Sequence, residues 1–145
     1  MDMLTIAVEP DLSYDDFLDI LHRSTLAERR PVNNEATIKG MLKHPSLIVT
    51  ARDAAGRLIG VSRSVTDFHF CCYLSDLCVD INYQKQGIGK KLIAFTHEKA
   101  GGPERVTLLL LSQPAAMDYY PRAGLQAFSN CFGARRSSTD GYPAT

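Results

Sequence analysis

"DINYQKQGIGKKLIAF", residues 80–95, is the stretch that decides the fold of this chain. It places two glycines, Gly87 and Gly89, at the point where an amphipathic helix is predicted to begin. Glycine in a helix interior costs about 1 kcal/mol relative to alanine, so its presence there needs a reason. Because glycine has no Cβ, another group can lie directly against its main chain. We therefore expect a ligand or a neighbouring element to approach the backbone closely here.

The sequence around this stretch predicts a strand, a glycine loop, a helix and a second strand. "CCYLSDLCVDI" (71–81) is the first strand candidate, and "GG" (101–102) ends the helix. "VTLLLL" (106–111) is a continuous apolar run, as expected for a central strand covered on both faces. The helix between them has an apolar stripe formed by Ile88, Leu92 and Phe95. This is a βαβ unit, whose strands are expected to be parallel with a right-handed crossover.

The region before this unit predicts a strand, two helices and a hairpin. "LTIAVE" (4–9) alternates weakly as a strand would, and Ser13 is a predicted N-cap of the first helix. A second short helix is predicted through "NEATIKGMLKH" (34–44), before a proline. Residues 46–68 read as two strands joined by a turn at "DAAG" (53–56).

The composition predicts a globular domain over residues 1–138 and a disordered polar tail over 139–145. The 16 basic and 16 acidic residues cancel, which argues against nucleic acid or an acidic membrane as a partner. The start of the chain carries Asp2 and has no basic, apolar leader, and no stretch reaches the ~18 apolar residues of a membrane span. We therefore expect a cytoplasmic protein.

The four cysteines do not follow a zinc-binding pattern. They are Cys71, Cys72, Cys78 and Cys131. No pair has the Cys-x-x-Cys spacing of a structural zinc site, and adjacent residues of a strand point to opposite faces. We expect buried free thiols in a reducing cytoplasm, and we expect no metal.

A glycine-rich turn that follows a strand and opens a helix is an anion site. The unpaired N–H groups of residues 87–90 and the helix dipole both favour negative charge, and nearby lysines add to it. The P-loop pattern fails because Lys91 stands where Ser or Thr would bind magnesium. The dinucleotide fingerprint fails because Leu92 takes the third glycine position. A phosphate or pyrophosphate ligand is expected, and the structural alternative is a tight turn that only permits helix–sheet packing.

Two segments give the chain a family resemblance. "QKQGIG" (84–89) matches Q/R-x-x-G-x-G/A in full. "QPAAMDYYPRAGL" (113–125) is similar to N-x-x-A-x-x-x-Y-x-x-x-G-F, with matches at Gln113, Ala116, Tyr120, Gly124 and Leu125. On these segments the chain resembles the GNAT superfamily of acyl-coenzyme A-dependent N-acyltransferases. The resemblance implies an α/β fold with a mixed, mostly antiparallel sheet, whose parallel central strand pair is splayed and flanked by helices.

The same resemblance implies that acetyl-coenzyme A is the cosubstrate. Its pyrophosphate would rest on the amides of residues 84–90, and its pantetheine arm would pair with the main chain of residues 77–79. The expected cofactor-binding residues are Leu77, Cys78, Val79, Gln84, Lys85, Gln86, Gly87, Ile88, Gly89, Lys90, Gln113 and Tyr120.

Two residues are candidates for the chemistry. Tyr120 matches the family tyrosine that protonates the leaving thiolate, and its structural alternative is packing of a helix against the sheet; Tyr119 is expected in the core. Asp76 is expected to attract an ammonium group or to deprotonate it through water, and its alternative is an ordinary salt bridge. Val79 would offer its N–H to the carbonyl oxygen. His69 is a further candidate for the base.

The expected activity is transfer of an acetyl group to a primary amine of a small molecule, by direct attack in a ternary complex. A non-catalytic acyl-coenzyme A-binding regulator and a nucleotide- or phosphate-binding protein are the alternatives. After Leu125 only "QAFSNCFGAR" (126–135) can form a strand, whereas the family typically adds two. The last strand is therefore expected to be short, missing or supplied by a second subunit, which allows for a homodimer.

Overall fold

The computed structural model describes residues 3–138, which form a five-stranded sheet flanked by helices on both faces. Met1, Asp2 and the predicted tail at 139–145 lie outside the described residues. In chain order the elements are β1 (Thr5–Val8), α1 (Tyr14–Arg23), α2 (Glu35–Lys43), β2 (Leu47–Arg52), β3 (Leu58–Thr66), β4 (Cys71–Val79), α3 (Ile88–Lys99), β5 (Thr107–Leu109) and α4 (Tyr119–Arg122). Short 3₁₀ helices cover Leu26–Arg29, Ile81–Tyr83 and Pro114–Ala116. In the described range, no helix has the length and apolar character needed to cross a membrane.

The sheet is mixed and mostly antiparallel, which confirms the predicted fold class. Its strands lie in the order β1-β2-β3-β4-β5, and only β4 and β5 are parallel. The parallel pairing covers Cys71–Tyr73 against Thr107–Leu109. β4 then continues to Val79 without β5 beside it. The parallel pair is therefore splayed, as predicted, although it lies at one side of the described sheet.

The first two helices begin where the sequence indicates. Ser13 is the N-cap of α1, and its hydroxyl accepts a hydrogen bond from the Asp16 N–H at 3.1 Å. Asn34 caps α2, and its side-chain oxygen accepts from the Thr37 N–H at 3.1 Å. Each cap satisfies a donor that the first turn of a helix leaves unpaired.

A β-bulge in β4 decides which side chains reach each face of the sheet. Arg63 pairs with Asp76 and Ser64 pairs with Leu74, so Ser75 has no partner of its own on β3. Because side chains alternate along a strand, the extra residue shifts the alternation by one. Leu74 therefore packs in the core under α3, whereas Cys78 packs in the core under α1 and α2.

Two expectations about burial are wrong. The strand within 106–111 is a short edge strand of the described sheet: Leu108 is buried, but Leu109 is 36% exposed and Leu111 is 62% exposed. The reason is that the described residues after α4 (123–138) form no further strand to cover it. Cys72 and Cys78 are buried free thiols as expected, but Cys71 and Cys131 are exposed.

Candidate active site

A cleft of about 740 Å³ opens beside the end of β4. Four parts of the chain line it: the end of α1 with the 3₁₀ helix after it, the last residues of β4, the glycine loop, and the segment around α4. These parts are distant in sequence and meet because β5 does not follow β4 to its end. The cleft therefore occupies the gap between the two splayed strands.

The glycine loop presents unpaired N–H groups at the start of α3. Gly87 is the N-cap with φ +81°, a left-handed conformation that glycine adopts without strain, and a Cβ there would have no atom within 4 Å. The first helical hydrogen bond runs from the Lys91 N–H to the Gly87 carbonyl at 3.1 Å. The N–H groups of residues 87–90 precede that bond and have no carbonyl of their own helix to receive them. This geometry suits an anion.

Gly89 has a different reason to be glycine. A Cβ at this position would lie 2.3 Å from the hydroxyl oxygen of Tyr119 and 3.4 Å from its Cζ. Tyr119 lines the cleft rather than filling the core alone, so the expectation of a core residue is only half right. Its ring meets that of Tyr120 edge to face, with centroids 5.1 Å apart. The first turn of α3 is thus covered by a tyrosine that the sequence motif does not include.

The main chain of Val79 turns toward the gap. The Asp80 N–H donates to the Ile59 carbonyl at 2.9 Å, and Gly60 is the β3 partner of Val79. Because hydrogen-bonded and non-hydrogen-bonded pairs alternate in an antiparallel ladder, the N–H and C=O of Val79 point away from β3. The Val79 carbonyl accepts a hydrogen bond from the side-chain amide of Gln84 at 3.1 Å. An extended ligand can pair with this edge as a strand would.

Tyr120 stands across the cleft on α4. Burial and the neighbouring Tyr119 raise the pKa of Tyr120, and the Arg30 guanidinium opposes them in part. A main-chain turn fixes the residue: the Leu125 N–H donates to the Tyr120 carbonyl at 3.0 Å, and Gly124 takes φ +95°. This pattern is typical of a helix end closed by a left-handed glycine. Because burial raises the pKa of Tyr120, its phenol is protonated at neutral pH and can donate a proton.

Cys78 reaches the cleft from β4 with a protonated thiol. Burial raises the pKa of Cys78 to about 12, with Asp76 adding to the effect. The Ser24 hydroxyl is its hydrogen-bond partner and acts in the opposite direction. Because the thiolate is the nucleophilic form of cysteine, this residue is a poor nucleophile at neutral pH.

Asp76 lies in the core rather than in the cleft. It is fully buried, and its two oxygens pair with Arg30 at 2.5 Å and with Arg63. Arg30 also donates to the Ser75 carbonyl at 2.8 Å, which ties the segment after α1 to β4. The bulge at Ser75 places Asp76 on the α1–α2 face, where a buried carboxylate needs paired cations. This geometry favours the salt-bridge alternative over a role in receiving the amine proton.

Most of the other predicted site residues meet in the cleft. Those that line it are Leu77, Cys78, Val79, Gln84, Lys85, Gly87, Ile88, Gly89, Gln113 and Tyr120. Gln86 lines a smaller cavity of about 330 Å³ instead, and Lys90 is exposed outside both. His69 also lies outside the cleft, in the turn before β4, where its Nδ1 is 3.0 Å from the Asp67 carbonyl oxygen.

Sequence reasoning missed one wall of the cleft and part of another. The missed residues are Ser24, Thr25, Leu26, Glu28, Tyr83, Ala115, Ala116, Tyr119 and Arg122. Ala115 to Arg122 lie within the second motif and could have been inferred from it. The segment after α1 carries no local signal, because only tertiary packing brings it to β4.

Three comparisons place the chain among known proteins. Residues 10–136 match the family described as the acetyltransferase (GNAT) domain. A 99-residue segment is 26% identical to the uncharacterized N-acetyltransferase ycf52 of Porphyra purpurea, covering 66% of this chain and 55% of that protein. The chain therefore spans about half the length of the curated relative it matches.

Solved structures share the fold. A GNAT family acetyltransferase from Streptococcus pneumoniae superposes with a TM-score of 0.71 at 24% identity, over 94% of this chain and 99% of that one. Aminoglycoside N-acetyltransferase AAC(6′)-Iy, in complex with CoA, superposes with a TM-score of 0.69 at 12% identity, over 95% and 97%. At these identities the likeness extends to the fold.

Replacing Asp76 with asparagine is expected to destabilise the protein by about 3 kcal/mol, because two largely buried arginines lose their counter-charge. Urea unfolding measures the change. Asp11→Asn, at an exposed position, is the matched control and should change the free energy of unfolding by less than about 0.5 kcal/mol. An Asp76→Asn protein that unfolds like the parent but loses activity would return this residue to a chemical role.

Gly89→Ala is expected to displace the Tyr119 ring and to weaken coenzyme A binding at least about tenfold, because its Cβ enters the space above the helix start. Isothermal calorimetry measures the affinity. The contact between this Cβ and the Tyr119 hydroxyl should also lower the stability of Gly89→Ala. Adding Tyr119→Phe removes the hydroxyl and should restore stability without restoring affinity. Gly40→Ala, inside α2 with open space around it, is the control and should leave binding unchanged. Full affinity in Gly89→Ala would contradict a ligand at this backbone.

Proposed function

The chain belongs to the GNAT acetyltransferase family, and from that premise we propose that it transfers the acetyl group of acetyl-coenzyme A to a primary amine of a small molecule. The observation that carries the proposal is the main-chain edge of β4 at Val79, which no strand pairs and which leads into a glycine loop whose amides lack helical partners. An acyl thioester with a pyrophosphate tail has the chemistry that both features would bind together.

The residues of the cleft fit this cosubstrate. The amides of residues 87–90 would hold the pyrophosphate, and Lys85 at the loop would add positive charge. The outward-facing edge at 77–79 would pair with the pantetheine arm, and Gln113 would contact it from the opposite wall. Gln86 and Lys90 would act only at the rim, because they do not line the cleft. The complex of AAC(6′)-Iy with CoA supports the assignment by likeness of fold.

When bound, acetyl-coenzyme A supplies a thioester carbon that an amine attacks, so that a C–N bond forms as the C–S bond breaks. Val79 would donate its N–H to the carbonyl oxygen as negative charge develops there. Tyr120 would give its proton to the departing sulfur, since burial keeps the phenol protonated. Cys78 would not carry the acetyl group, because its thiol stays protonated. Direct attack in a ternary complex follows from these roles.

A small-molecule acceptor is supported by likeness of fold to AAC(6′)-Iy, which is an aminoglycoside N-acetyltransferase. The family alone does not fix the acceptor, because one fold serves many acceptors.

We also propose a reducing compartment such as the cytoplasm for this protein, because its four cysteines are free thiols.

The first test is thermal unfolding with acetyl-coenzyme A, coenzyme A and ATP in parallel. A ligand that binds only the folded state raises Tm, so we expect a rise with both coenzyme forms and none with ATP. An amine panel assayed for thiol release then separates an enzyme from a regulator that only binds. A rise with ATP alone would point to a nucleotide-binding protein, and binding without thiol release would favour the regulator.

Tyr120→Phe is expected to lower kcat about 100-fold or more and to leave the KM for acetyl-coenzyme A nearly unchanged, because it removes a proton donor. Steady-state kinetics of thiol release measures both. Tyr73→Phe, a change at an exposed tyrosine of β4 outside the cleft, is the control. Equal rates in Tyr120→Phe and the parent would leave Tyr120 only its packing role.

The pH profile gives a second measure of Tyr120. A phenol donates only while protonated, and burial raises the pKa of Tyr120, so the parent should keep this activity past the ordinary tyrosine value of about 10. Above its raised pKa the phenol ionises, so the rate of the parent should fall there. The residual rate of Tyr120→Phe should lack this fall at alkaline pH. A fall centred well below this value would assign the titration to another group.

A further inference from the structure

We propose that Glu28 is the residue that binds the acceptor's ammonium group and accepts its proton, and that the acceptors are therefore cationic amines. This inference rests on the proposed function and adds the acceptor end of the same cleft. An amine arrives protonated at neutral pH, so a negative group must attract it and a base must take its proton. The sequence assigned that work to Asp76, whose two oxygens are already paired with arginines.

Among the described residues that line the cleft, Glu28 carries the carboxylate. Lys85 and Arg122 carry the positive charges there. Its side chain is exposed, and among the described residues it forms no salt bridge within 4.0 Å. A carboxylate without a cation, facing a cleft, is available to a ligand cation.

The backbone around Glu28 is held in place. Its N–H donates to the Thr25 carbonyl at 3.1 Å, within the 3₁₀ helix Leu26–Arg29. Thr25 itself takes φ +70°, a left-handed conformation that costs energy for a β-branched residue. Arg30, two residues on, is anchored to Asp76 and to the Ser75 carbonyl. The buried ion pair therefore fixes the segment that carries the free carboxylate.

The segment from Ser24 to Arg30 lies near both β4 and α4, the two elements that carry the proposed reaction residues. Ser24 at one end is the hydrogen-bond partner of the Cys78 thiol on β4. Arg30 at the other end is close enough to Tyr120 to act on its pKa. Glu28 lies between them in sequence and lines the same cleft as both Cys78 and Tyr120. The glycine loop with Lys85 forms a different wall, suited to the phosphates.

The proton balance is complete with these groups. The ammonium nitrogen loses two protons, one before it can attack and one as the amide forms. Glu28 takes the first and passes it to solvent, which leaves a neutral amine. The nitrogen becomes more acidic as its bond to the acyl carbon forms, so Glu28 takes the second proton as well. Tyr120 gives a proton to the sulfur as the carbonyl C–S bond breaks, and solvent then removes the proton from Glu28 and returns one to Tyr120.

The test compares Glu28→Gln with the parent, using spermidine as the cationic probe. With coenzyme A present, calorimetry should show spermidine binding at least about tenfold more weakly in Glu28→Gln. The rise of Tm with coenzyme A should be unchanged, because the glycine loop is intact. Glu104→Gln, an exposed glutamate outside the cleft, is the matched control and should bind spermidine as the parent does.

Kinetics separates the two parts of the role. Glu28→Asp keeps the charge and should bind spermidine nearly as the parent does, whereas Glu28→Gln should lose kcat as well as affinity. Equal spermidine binding by the parent and Glu28→Gln, or no binding by the parent, would overturn the inference even where coenzyme A still raises Tm. Failure of coenzyme A to raise the Tm of the parent would instead overturn the proposed function on which it rests.

Discussion

The parting of β4 and β5 is the constraint on which the site depends. Pairing ends at Tyr73 and Leu109, and the rest of β4 keeps its outward N–H and C=O groups unpaired by a strand. Buried polar backbone without partners is costly, so a gap of this kind persists when water or a ligand can reach it. The glycine loop stands at the end of the same strand, because a parallel partner requires a helical crossover. One topological feature therefore supplies both the pairing edge and the anion cradle.

The bulge at Ser75 sets the second half of the site. By shifting the alternation of β4, it turns Asp76 into the α1–α2 face and leaves Val79 on the α3 face. Asp76 then needs buried cations, and Arg30 brings with it the segment that follows α1. A buried ion pair is weak evidence for stability in itself, because desolvation offsets most of its attraction. Its use here is positional, since it fixes one wall of the cleft against the strand.

Local patterns in the sequence predicted much of the fold. The cap at Ser13, the second short helix, the parallel pair and the helix that follows Gly87 depend on neighbours within a few residues, where spacing is informative. The partner of Asp76 and the place of Glu28 depend on a one-residue bulge and on packing between distant segments. No local pattern in the sequence indicates either feature. The acceptor role was therefore predicted for Asp76, the acidic residue of β4. The exposure of Leu109 could not be predicted for the same reason, because it depends on whether a later strand covers β5.

The distribution of charge along the cleft argues for one order of events. On the proposed roles, Lys85 would bind at the phosphates and Glu28 at the amine, and both line the cleft. Cys78 and Tyr120 also line it, and burial raises the pKa of both groups, so neither adds a negative charge at neutral pH. Uncharged surroundings at the acyl carbon would favour the neutral amine over its ammonium form, because burial of an unpaired charge is costly. Transfer of the first ammonium proton to Glu28 would therefore come before attack, and transfer of the second would accompany formation of the C–N bond.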